Sequence, residues 1–115
     1  MKQYTTEEQT VELEAVGFPL AKDHFEGNYV VAAYSIQDLL ELLPPILNFG
    51  GSYGESKLFI MYHPDIKEWV CGYISIEKND WVTFSENPAW NCGGGKEFID
   101  ALYNLLMILG ESGYL

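Results

Sequence analysis

The chain contains no arginine, and its only basic residues are six isolated lysines, Lys2, Lys22, Lys57, Lys67, Lys78 and Lys96. Proteins that grip nucleic acid need clustered cations to release counterions, and arginine forks for bidentate phosphate contacts. Nucleic-acid binding is therefore disfavoured. Cysteine is scarce too. Cys71 and Cys92 allow one bridge at most, which is no disulfide framework. With no hydrophobic signal segment after Met1, the expected setting is reduced and cytoplasmic. Long apolar runs are also missing: the longest, Ala101 to Leu109, is interrupted by Asn104 and falls far short of the roughly 20 residues of a membrane span.

What is present is acid and hydrophobe together. Seventeen acidic residues against six lysines leave a formal net charge of -11 on 115 residues, of which 48% are hydrophobic and 15% aromatic. That aromatic content excludes a disordered acidic tail. A chain of this size buries about two-thirds of its unfolded surface, enough for one core, so residues 1–115 are expected to form a single soluble domain. Acid is spread over both halves. Such a surface suits a cationic partner or mimicry of nucleic-acid charge, and it also keeps a small protein soluble.

Thr5 and Glu8 have capping-box spacing, and Glu7 and Glu8 suit the positive end of a helix dipole, so a first helix is expected from Thr5 to Gly17. Within it Glu8 and Glu12 form one acidic column and Glu7 and Glu14 another. Residues 20–34 read as a connector, within which Tyr29-Val30-Val31 could make a short extended piece. Ser35 and Asp38 repeat the start signal for a second helix, ended by Pro44-Pro45. The stretch Asn48 to Gly54 is the clearest loop.

From Lys57 the period changes to two. Leu58, Ile60 and Tyr62 alternate with Phe59, Met61 and His63; after Pro64-Asp65, Trp69, Cys71, Tyr73 and Ser75 alternate with Val70, Gly72, Ile74 and Ile76. Trp81-Val82-Thr83-Phe84 makes a third strand. Gly93-Gly94-Gly95 is expected as a flexible loop before a last, strongly apolar helix carrying Phe98, Leu102, Leu105 and Leu109, with Gly110 or Gly113 at its end. The expected fold is α+β, a three-stranded antiparallel meander with helices packed on one face, in the order α-α-β-β-β-α.

Candidate chemistry is sparse. Cys92, in a loop before a helix start, could act as a thiol nucleophile with His63, but no family signature surrounds it. His24, His63, Cys71 and Cys92 lack metal-ligand spacing, so neither a metal site nor a cofactor is expected. Gly93-Gly94-Gly95-Lys96 lacks the Ser or Thr of a phosphate loop. The remaining feature is aromatic. If the helices cover one sheet face, Trp69, Tyr73 and Trp81 are expected to line the other as a recognition surface; the alternative is that these rings complete the core or a dimer seam.

Three segments carry a resemblance: Tyr4-Thr5-Thr6-Glu7-Glu8-Gln9 with Gly17; Ala33 to Pro44; and Glu86-Asn87-Pro88-Ala89 before the Leu-rich helix ending Gly113-Tyr114-Leu115. Together they resemble a group of small uncharacterised proteins from phages and mobile elements of gut bacteria. The Trp90-Asn91-Cys92-Gly93-Gly94-Gly95 insert departs from that pattern. The resemblance implies no catalytic residue. The expected role is a non-catalytic acidic interaction protein, an accessory factor binding a protein through Glu8, Glu12 or the rings Trp69, Tyr73 and Trp81. The alternatives are a small enzyme using Cys92 and His63, and a homodimer built on the apolar last helix.

Overall fold

Capping chemistry sets the helix starts. Helix α1 (Glu7–Ala15) begins one residue later than its sequence signal suggests. Thr6 caps it, accepting from Gln9 N–H at 3.2 Å while Gln9 Oε1 accepts from Thr6 N–H at 3.0 Å. Thr5 is buried instead, its hydroxyl shared with Thr10 and accepting from Tyr34 N–H at 3.0 Å. Gly17, at φ 106°, ends α1, and Phe18 N–H reaches back to Leu13 O. Helix α2 (Ile36–Leu42) starts at Ser35 with Asp38 completing the reciprocal pair, as its sequence predicts. Helix α3 (Phe98–Glu111) ends like α1, with Gly113 at φ 79° and Tyr114 N–H bonded to Leu109 O.

The computed structural model describes residues 2–51, 53–82 and 93–115. Within them the strands are β1 (Asp23–Glu26), β2 (Tyr29–Ala32), β3 (Ile46–Asn48), β4 (Glu55–His63), β5 (Glu68–Ser75) and β6 (Gly93–Gly95). β1 and β2 form a separate antiparallel hairpin, and the other four make one antiparallel sheet in the order β3-β4-β5-β6. The α+β class holds, but the three-stranded meander and its element order do not. Two of the meander's strands are β4 and β5. Of the expected third, Trp81 makes an isolated bridge to Ile74, while Thr83 and Phe84 lie outside the described residues.

Two added strands come from segments not expected as strands. β3 grows from the end of the proline pair, registering Ile46 with Lys57. β6 is the triple glycine, paired with Trp69, Val70 and Cys71. It is a strand because α3 lies directly on it: a Cβ on Gly93 would stand 2.3 Å from Ala101 O and 2.5 Å from Leu105 N. Only glycine permits that approach.

Register assigns the faces. Leu58 opposes Tyr73, Ile60 opposes Cys71 and Tyr62 opposes Trp69, and this set faces the helices. Ile99, Ala101, Leu102, Leu105, Leu106 and Leu109 of α3 are fully buried within one copy, against the sheet and against Leu13 of α1 and Leu39 of α2. A homodimer through that helix therefore loses the surface it was argued from. No helix among the described residues is long and apolar enough to cross a membrane.

Candidate functional site

The aromatic set does not share an open face. Trp69 points to the helix side, its ring 4.9 Å from Phe98 and 5.3 Å from Tyr62. Tyr73, on the same side, is fully buried, with its hydroxyl donating to Pro44 O at 2.7 Å and Phe49 edge-on at 5.3 Å. Burial, reinforced by the neighbouring Cys71, pushes its ionisation well above the ordinary value of 10.0. Trp81 sits on the opposite face with Ile74 and packs edge-on to Phe59 at 5.2 Å. The expected single recognition surface is thus split: two of its rings belong to the core side. Alternation was read in the right phase, but nothing local to a strand states which phase meets a helix.

The catalytic alternative pairs Cys92 with His63, and only His63 is among the described residues. His63 ends β4 on the face away from the helices. Cys71 is buried, its thiol donating to Ala101 O at 3.0 Å, as suits a small core residue.

Glu12 leads to a different feature. Its carboxylate accepts a hydrogen bond from Tyr103 Oη, which ties α1 to α3. Beside this contact a groove of about 650 Å³ runs between the two helices to the β5–β6 edge. Its apolar wall is Ala15, Val16, Met107 and Ile108, and its carboxylates are Glu12, Glu68 and Glu111. Tyr103, Met107 and Glu111 form one row at four-residue spacing on α3, facing the Glu12–Val16 end of α1. Glu8 stands one turn before Glu12, exposed and outside the groove lining.

The polar groups of this groove have one character. Tyr103 spends its proton on Glu12, and Asn104 Nδ2 donates to Gly94 O at 2.6 Å. The lining thus presents carboxylate oxygens, with no lysine or histidine among its residues. The carboxylates rim the groove without converging; among the described residues no three His, Cys, Asp or Glu side chains gather to hold a metal ion. Separated acceptors over an apolar wall match an extended, donor-rich organic cation such as a lysine or arginine side chain, whose stem is apolar and whose head is charged.

Sequence reasoning reached Glu12 and missed Glu68, Tyr103 and Glu111. Glu111 belongs to the narrow polar stripe of the last helix, with Glu97, Asp100 and Asn104, whereas Glu68 joins the groove only through the sheet. Against known protein families, curated proteins and solved structures, the chain has no match.

Proposed function

We propose that this chain is a non-catalytic interaction protein that receives a cationic segment of a protein partner in the groove between α1 and α3. The observation that carries this reading is the groove's lining: three carboxylates over an apolar wall, with no basic side chain among them. The net charge of -11 supports it, because a strongly negative molecule attracts and steers basic partners. The resemblance to small proteins of phages and mobile elements supports an accessory role in such an element.

Fluorescence anisotropy with a labelled Lys- and Arg-rich peptide tests the reading. Replacing Glu12, Glu68 and Glu111 together by Gln is expected to weaken binding about tenfold or more, since each carboxylate contacts the cation over partly desolvated surface. Removing the same charge from exposed Glu7, Glu26 and Glu55 is expected to cost about threefold or less, through long-range attraction alone. Equal losses in the two triple variants would show that the peptide senses net charge and not the groove.

A further inference from the structure

The hairpin β1–β2 stands apart from the four-stranded sheet and has no third strand among the described residues. Isolated two-stranded ribbons are marginal in water. One of its faces is steadied by His24, stacked flat on Tyr4 at 3.7 Å. Elsewhere it leaves Phe25, Tyr29 and Val30 exposed by 78, 77 and 59%. The edges of the larger sheet are blunted. β3 is three residues long and follows Pro44-Pro45, and the outward carbonyl of Gly94 in β6 is taken by Asn104.

The β2 edge has no such protection. Ala33 N–H donates to Lys22 O across the base of the hairpin. Because bonded and non-bonded pairs alternate along an antiparallel ladder, His24·Val31 and Glu26·Tyr29 exchange hydrogen bonds and Phe25·Val30 does not. The N–H and C=O of Val30 therefore point away from β1, toward the open edge.

We propose that this edge is a self-association surface: β2 of one copy pairs antiparallel with β2 of a second about a two-fold axis at Val30. Each Val30 N–H then donates to the other copy's Val30 C=O, and the two hairpins become one four-stranded sheet. A second copy fits for three reasons. An antiparallel strand edge is complementary to itself under a two-fold. β2 carries no charged side chain, whereas pairing through β1 would gather Asp23 and Glu26 of both copies onto one sheet. Val30 lies on the edge itself, with exposed Tyr29 next to it and exposed Phe25 across from it on β1, so pairing covers apolar surface along with the backbone. The net charge opposes the pairing, so salt favours it.

Sedimentation velocity on the full chain over a concentration series, at low and at high salt, decides it. A dimer that tightens with salt is expected. Val30→Pro deletes the outward N–H without touching a bond inside the hairpin, and Val30→Glu sets like charges opposite each other. Either is expected to weaken the dimer about tenfold or more, with far-UV circular dichroism and urea midpoint reporting that the fold is kept. A monomer at every concentration in high salt would overturn the proposal, as would a dimer unchanged in folded Val30→Pro and Val30→Glu.

Discussion

Gly93 and Gly94 are neighbours in β6 with opposite surroundings. A methyl on Gly93 meets α3 backbone at 2.3 Å, whereas one on Gly94 meets nothing nearer than 3.8 Å. Gly93→Ala is expected to lower stability by about 2–4 kcal/mol, because backbone on both sides must move, and Gly94→Ala to stay within about 1 kcal/mol of the parent. Urea unfolding of the two variants checks this, and equal midpoints would contradict the packing. Tyr73 gives a second test. Its ionisation is raised in the folded state, so its contribution to stability is complete below the ordinary tyrosine value of 10.0 and fades as pH climbs above it. Tyr34 is raised in the same direction, by burial and by Glu14 and Asp38. Tyr73→Phe is expected to be less stable at neutral pH by about 0.5–1.5 kcal/mol, through the lost bond to Pro44 O, and to decline less steeply with alkali. Urea midpoints measured from neutral to alkaline pH for both proteins check the sign.

Short helices here depend on their ends. α2 has seven residues, too few to be stable by propensity, and its entry is held by the reciprocal Ser35–Asp38 pair. Ser35→Ala is expected to cost about 1 kcal/mol, read from the urea midpoint. That cap was legible because Ser, Asp and a following Leu run occur at fixed spacing. The start of α1 was misread by one residue for a tertiary reason: Thr5 and Thr6 are equivalent locally, but Thr5 bonds to Tyr34 across the fold, leaving Thr6 to cap. β6 was read as a loop and Ile46-Leu47 was given no element, since glycine and proline punctuate most chains. Their strand state comes from the partners they pair with, Glu55–Lys57 and Trp69–Cys71.

Over the whole molecule, a charge of -11 couples the two proposed surfaces to salt with opposite signs. Attraction of a basic peptide to the Glu12–Glu68–Glu111 groove weakens as salt screens it, while pairing of two negative copies through β2 strengthens. Peptide titration and sedimentation at matched salt therefore report on separate surfaces, and either can fail alone. Ile99, Leu102, Leu105, Leu106 and Leu109 of α3 are fully buried, so the exposed apolar side chains Phe25, Tyr29 and Val30 lie on the hairpin and not on this helix face.

Taken by itself, the order of residues determined the quantities that depend on near neighbours: two helix starts to within a residue, the glycine stops, the period of β4 and β5, and the acidic balance. Caps, turns and alternation are short-range effects, so their signals lie within a few positions of where they act. Only the tertiary structure decided which strand face meets the helices, that a triple glycine is a strand beneath α3, and that Glu12, Glu68 and Glu111 border one groove. Those outcomes depend on contacts between residues tens of positions apart, and register along the chain does not encode which distant surface a given face will cover.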